Sequence, residues 1–386
     1  MRTDQMKENL AKLREKNNFR SLPVFDHQGK YALKEGHQML NLSSNDYLGL
    51  GTVEALRTDF LAKRSPESML WSASSSRLLT GNFQAHRELE ELLARLFHKE
   101  AALTFNSGYH ANSGIVAALA DKHTLILADK LVHASLIDGI RLSGATCIRY
   151  KHNQYEQLEA LVAERYNQYD SILILTESVF SMDGDKADLQ RLCALKRKYP
   201  HVLLYVDEAH AFGVFGETGL GCAEEQHCLK DIDILVGTFG KAIASEGAFV
   251  VCSQIIRDYL INTMRPFIFT TALPPINVQW TTYIVERLAS FQGTRTHLRK
   301  ISQQLRNGLE ALGHPSLSES AIIPLTVGDS GKCMLLAEQL QRKGFYVLPV
   351  RPPTVPEGTS RLRFSLSAAL TEEDIDRLIL TLKEIL

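Results

Sequence analysis

The chain has 386 residues, 45% of them hydrophobic and 23% charged, with a formal net charge of -1. That balance belongs to a soluble globular protein with ample core, and it leaves no electrostatic footprint for nucleic acid. No apolar run reaches the ~18 residues of a membrane span, and the six cysteines include no C-x-x-C pair, so a cytoplasmic protein without a bound metal is expected.

The first twenty residues mix basic, acidic and apolar side chains, as in Lys7, Glu8, Leu10, Lys12, Leu13 and Arg14. They suit an amphipathic helix, since a signal peptide needs an uninterrupted apolar core. A short β-like region then ends in Asn41-Leu42-Ser43-Ser44-Asn45-Asp46-Tyr47-Leu48-Gly49, which on its own reads as a turn. A second polar turn region, Ser74 to Asn82, precedes a helical pattern through His86, Leu89, Leu92, Leu93 and Leu96. From residue 101 onward strands and helices alternate, with strands predicted at Ala101 to Phe105, Thr124 to Ala128, Thr146 to Tyr150, Ile172 to Thr176, Val202 to Val206, Ile232 to Val236 and Ala248 to Cys252. This rhythm predicts an α/β fold around a mostly parallel sheet. Beyond Pro274-Pro275 a long helical stretch leads to a smaller α+β unit. Its strands are predicted at Ile322 to Val327, Phe345 to Val350 and Leu362 to Ser367, and its helices at Lys332 to Arg342 and Glu372 to Leu386. The expected division is an N-terminal segment 1–50, a large domain 51–285 and a small C-terminal domain 286–386.

Two strand ends carry the chemistry. Val202 to Val206 is followed by Asp207-Glu208-Ala209-His210, and Ile232 to Val236 by Gly237-Thr238-Phe239-Gly240-Lys241. Apolar runs of this kind read as strands buried on both faces, and sites in such sheets lie at the carboxyl ends. A lysine, a buried aspartate and a histidine placed there suit pyridoxal phosphate (PLP), which needs an amine for its aldehyde, an anion facing its ring nitrogen and donors for its phosphate. Burial matters because a charge pair at contact is worth ~1 kcal/mol in water but ~4 kcal/mol at an effective dielectric near 20. Ser107-Gly108-Tyr109 opens a helix after the first of these strands, where backbone N–H groups can hold a phosphate. Read alone, it is a helix cap. Asp207 to His210 also spells the DEAH box of helicases, and Gly240-Lys241 the end of a phosphate loop. The loop pattern, however, needs glycine at 235 and a hydroxyl at 242, where the chain has Leu235 and Ala242.

Together with Ser43 to Gly49, His133-Ala134-Ser135, Phe180-Ser181-Met182-Asp183-Gly184 and Arg351-Pro352-Pro353-Thr354-Val355-Pro356, these motifs resemble the α-oxoamine synthases of the fold-type I PLP enzymes over nearly the whole chain. The resemblance implies a catalytic set in which Lys241 holds the cofactor's aldehyde, Asp207 faces its ring nitrogen, His133 stacks on the ring and His210 hydrogen-bonds the phenolic oxygen. It implies that Gly108, Tyr109, Ser181 and Thr238 line the cofactor and phosphate site, and that Thr270 and Thr271 reach the phosphate of a partner subunit in a homodimer. Arg363 would grip the amino acid carboxylate, Asn45 and His133 would also meet substrate, and Arg20 and Thr354 would contact it at the entrance. Glu177 stands where the family places a supportive acid, although read alone it is a paired carboxylate. The implied reaction is a decarboxylating condensation of L-alanine with a pimeloyl thioester of coenzyme A or a carrier protein, a step of biotin biosynthesis. Glycine C-acetyltransferase and serine palmitoyltransferase are the alternatives within the family, and a catalytically idle regulator is the alternative from another class. Glu246 and Leu370 depart from the small residue and the histidine usual in the family.

Overall fold

Seven apolar segments form one sheet in the computed structural model, which describes residues 2–386. In chain order they are β1 (Ala101–Phe105), β2 (Thr124–Asp129), β3 (Thr146–Tyr150), β4 (Ser171–Glu177), β5 (Val202–Asp207), β6 (Ile234–Thr238) and β7 (Ala248–Cys252). Their order across the sheet is β1-β7-β6-β5-β4-β2-β3. β7 runs antiparallel to both neighbours, and the remaining pairings are parallel. Leu125, Ile126, Ile172, Ile174, Val206 and Leu235 are fully buried, as expected of strands covered on both faces. β6 starts two residues later than the predicted Ile232, because the Asp233 carboxylate turns inward to accept the Leu204 N–H at 2.8 Å and the Lys196 ammonium at 2.6 Å. Register brings Glu177 opposite Asp207 and Asp207 opposite Val236, so β4, β5 and β6 end side by side.

Two helices pack against the strands of this sheet. They are α1 (Gly108–Leu119) and α2 (Ala134–Ser143), and their residues Ala111, Ile115, Val116, Leu136 and Ile140 share one apolar cluster with Leu103, Leu173, Leu175 and Val236. Gly139 allows them to approach: a Cβ there would lie 2.9 Å from the Asn112 carbonyl oxygen and 2.9 Å from the Val116 Cβ. All of these elements belong to one compact unit, Val53–Ser181 with Lys186–Arg295.

A second unit comprises the chain through Thr52, the short piece Met182–Asp185, and Thr296–Leu386. The N-terminal residues, which the sequence reading set apart as 1–50, therefore cluster with the C-terminal part. The cause is strand pairing, since His37–Asn41 runs parallel to Phe345–Tyr346, with Leu40 opposite Phe345. The predicted strand Phe345 to Val350 is split. Phe345–Tyr346 joins that sheet, while Pro349–Val350 pairs with Ser360–Ser365, which in turn pairs with Ile322–Gly328. Between the two pieces, the Leu348 N–H leaves the ladders to bond the Ser43 hydroxyl at 3.0 Å. The helix Thr3–Glu15 forms as its amphipathic pattern predicts, with none of its residues buried. No described helix is long and apolar enough to cross a membrane.

Candidate active site

The strand ends of the larger unit place the predicted residues. Asp207 closes β5 and is 4% exposed. Its Oδ2 accepts from Asn112 Nδ2 at 2.7 Å and its Oδ1 from the Ala209 N–H at 2.8 Å. Three residues on, the buried His210 directs Nε2 to Lys241 Nζ at 3.0 Å. Lys241 lies in the turn after β6, a turn held by the bonds Ala244 N to Lys241 O and Ser245 N to Phe239 O, each 2.9 Å. Gly247 anchors its far end in the left-handed region at φ +103, where a Cβ would fall 2.7 Å from Leu273 and 2.8 Å from the Phe105 carbonyl. Its carbonyl accepts the Phe239 N–H and the Thr238 hydroxyl. Glu246 beside it is exposed, so the turn is set by Gly247.

Ser107 caps α1, its hydroxyl accepting the His110 N–H at 3.2 Å. The Gly108 and Tyr109 amides open the helix and have no acceptor within it. Gly108 lies against Thr238, whose Oγ1 would be 3.9 Å from a Cβ at 108. The Tyr109 ring meets His133 edge-on with centroids 6.4 Å apart, and its hydroxyl donates to Asp138. Ser181 is buried just past β4. An amine, a buried carboxylate, two helix-opening amides and nearby hydroxyls are the donor and acceptor set that PLP requires, so the residues present fit the cofactor.

Burial sets the protonation of this cluster. Desolvation holds His133 below its ordinary value; Asp207 opposes that shift and Lys241 reinforces it. Glu177 is pushed well above the carboxylate range, first by burial and then by Asp207 beside it, and its Oε1 has no hydrogen-bond partner. Glu208 is raised to about 7, chiefly by burial, and accepts from Ser178, Cys222 and Ala223. It thereby ties the Gly221-Cys222 turn to the end of β5.

Asn112 and its partners Ser135 and Tyr205 are not among the site residues expected from the sequence. Asn112 spends both Nδ2 protons, on Asp207 and on Ser135 Oγ at 2.9 Å, and its Oδ1 accepts the Tyr205 hydroxyl at 2.6 Å. The available signal was a buried asparagine on the apolar face of Ala111, Ile115 and Val116, since buried polar groups are paired. Thr270 lines a small cavity with Arg77, His86, Asn106 and His110, whereas Thr271 is exposed and its carbonyl accepts from Asn106 Nδ2 at 2.9 Å.

Within the second unit the predicted substrate residues form two pairs. Asn45 Oδ1 collects Arg363 Nη1 at 3.3 Å, Arg363 Nη2 at 3.4 Å, the Tyr47 hydroxyl at 3.1 Å and the Ser365 hydroxyl at 3.4 Å. Arg20 Nη2 donates to Thr354 Oγ1 at 2.9 Å. Arg351 donates to the Asn17 carbonyl, and its pKa is lowered first by burial and also by Arg20. Among the described residues, neither Arg20 nor Arg351 has a carboxylate partner. Leu370 is buried, and its carbonyl is 2.7 Å from His297 Nε2.

Residues 37–382 match the family described as aminotransferase class I and II. An 8-amino-7-oxononanoate synthase of Haemophilus ducreyi is 54% identical over 379 residues, covering 96% of this chain and 98% of that protein. Among solved structures, a serine palmitoyltransferase variant of S. paucimobilis with bound PLP superposes with a TM-score of 0.88 at 30% identity, over 99% of this chain and 96% of that one. An 8-amino-7-oxononanoate synthase of Francisella tularensis gives 0.75 at 28% identity, over 90% of this chain and 97% of that one.

Proposed function

The chain belongs to the class I and II aminotransferase family, in its α-oxoamine synthase branch, and from that premise we propose that it condenses L-alanine with a pimeloyl thioester to give 8-amino-7-oxononanoate for biotin biosynthesis. In the net reaction the alanine α-carbon bonds to the acyl carbon, the thiol leaves, the alanine carboxylate departs as CO2, and a proton returns to the α-carbon. Bound PLP supplies the electron sink that makes the α-carbon nucleophilic. Lys241 Nζ would hold the cofactor's aldehyde, and its amine, 3.0 Å from His210 Nε2, is placed to take the α-proton. Asp207 would keep a proton on the ring nitrogen, Gly108, Tyr109, Ser181 and Thr238 would line the cofactor and phosphate site, and Arg363 with Asn45 would receive the amino acid carboxylate.

The observation that carries the acyl assignment is the pair Arg20 and Arg351. Acetyl and palmitoyl chains end in a methyl group, whereas a pimeloyl chain ends in a carboxylate, the group that a guanidinium fork binds with two parallel bonds. Two guanidiniums without an acidic partner, one of them already bonded to Thr354, suit that terminus. Thiol release measured for L-alanine, glycine and serine, each with pimeloyl-, acetyl- and palmitoyl-CoA, tests the reading. The highest kcat/KM is expected for alanine with pimeloyl-CoA, and a maximum at glycine with acetyl-CoA overturns it.

A homodimer in the cytoplasm completes the proposal. Trp71, Leu79 and Phe269 are 73%, 77% and 70% exposed. The segment before Arg77 is bound to the one after Phe269 through the bonds Ala272 N to Ser75 O and Ile276 N to Leu70 O. A second copy is the occupant that accounts for these apolar side chains and gives Thr270 and Thr271 a partner's phosphate to meet. Light scattering is expected to give twice the chain mass, and a fully active monomer removes the cross-subunit contact.

A further inference from the structure

His133, Ser135, Asn112, Asp207 and Tyr205 form a hydrogen-bonded chain whose directions can be read from donor counts. Asn112 carries two Nδ2 protons and one acceptor oxygen. Asp207 is acceptor-only when ionised, so the Asn112 amide group must present Nδ2 to it, at 2.7 Å. With Nδ2 so placed, the Asn112 carbonyl oxygen is left for the Tyr205 hydroxyl at 2.6 Å. The second Nδ2 proton goes to Ser135 Oγ at 2.9 Å. Ser135 Oγ thus accepts from Asn112 and lies 2.8 Å from His133 Nδ1, with its own proton available to that nitrogen. The Ser135 backbone N–H points at the same nitrogen at 3.3 Å. A backbone N–H can only donate, so Nδ1 is the acceptor and carries no ring proton, and the Ser135 hydroxyl donates to it as well.

We propose that Asn112 and Ser135 are positioning residues that hold the His133 imidazole as its Nε2–H tautomer, with the Asn112 amide oriented by the Asp207 carboxylate and Nδ1 held as an acceptor by Ser135. The Nε2–H tautomer offers one N–H donor on the ring nitrogen away from Ser135. The opposite tautomer would offer an acceptor there, so the assignment decides whether a substrate oxygen or a substrate proton can be met by His133. The fold is built for this contact. Gly139 brings α2 onto α1 at Asn112, and Tyr205 and Asp207, two residues apart on β5, face the same amide. Burial disfavours the charged ring, so the choice left to these contacts is between the two neutral tautomers. The consequence for substrate rests on the PLP reading above, whereas the tautomer itself does not.

The test is long-range proton–nitrogen correlation NMR of the full-length chain labelled with 15N-histidine, with and without PLP, the His133 signals being identified by their loss in His133→Gln. At pH 7.5 the wild type is expected to show Nε2 protonated and Nδ1 bare. Ser135→Ala removes one hydrogen-bond donor and is expected to move the tautomer ratio about fivefold toward Nδ1–H, with Ser135→Thr restoring it. In the loaded enzyme Ser135→Ala is expected to lower kcat while PLP affinity is kept. An Nδ1–H or doubly protonated His133 in the wild type overturns the proposal by itself, even where a variant fails to fold. So does an unchanged ratio in a folded Ser135→Ala. Failure of the alanine and pimeloyl assignment would leave these spectra unaffected, so the two readings fail separately.

Discussion

Replacing Asp207 by asparagine isolates the charge that the cofactor's ring nitrogen requires, and the structure says what else it disturbs. The carboxylate receives two N–H groups, from Asn112 at 2.7 Å and from Ala209 at 2.8 Å. An amide has a single acceptor oxygen, so in Asp207→Asn one of these donors faces an NH2 group, and a buried donor left unsatisfied costs ~1–3 kcal/mol. Loss of the charge acts separately on the reaction. Removing one preorganised electrostatic partner costs ~10²–10³ in rate, in line with the ~4 kcal/mol of a contact charge pair at an effective dielectric near 20. Turnover by thiol release, PLP content by absorbance and stability by urea melts should therefore show a variant that keeps its cofactor, loses stability modestly and loses most activity. The pair Asn112→Asp with Asp207→Asn restores one acceptor opposite one donor, so it should recover stability without turnover. Near-normal turnover in Asp207→Asn with PLP bound would refute the role of the charge.

Borohydride treatment of the loaded protein, followed by peptide mapping, should place the pyridoxyl label on Lys241; a label on another lysine would falsify the assignment. Stability should also carry two opposed pH dependences. Glu208 is raised from 4.5 to about 7 in the folded chain, so its contribution is full below 4.5 and is lost as pH rises to 7. His86 is lowered from 6.5 to about 4, chiefly by burial, so its contribution is full above 6.5 and is lost as pH falls to 4. Each amounts to ~3 kcal/mol at ~1.4 kcal/mol per pH unit, and the two oppose each other between about pH 4.5 and 6.5. Glu208→Gln should therefore make stability climb more steeply with pH across that window than in the wild type, and identical slopes in urea melts would remove Glu208 from this role.

The residues legible from sequence are those whose chemistry is announced by their own strand. Asp207 and Lys241 follow apolar runs, and a parallel sheet places the ends of such runs at its functional edge. The two-residue shift of β6 shows the limit of that logic, because Asp233 takes its place in the Leu204 ladder through its side chain, which periodicity cannot register. The N-terminal residues were set apart for a related reason, since Leu40 finds its strand partner at Phe345 and no local pattern reports a pairing over that distance. Asn112 is the sharper case. Its burial on an apolar helix face implied a polar partner, because an unpaired buried amide is costly, but three groups in the chain answer it, from Ser135, Asp207 and Tyr205, 23, 95 and 93 residues away. Those separations close only after the sheet order and the Gly139 contact between α1 and α2 are in place. The reacting groups are thus written locally, at strand ends, while the hydrogen bonds that set their protonation are written in the topology.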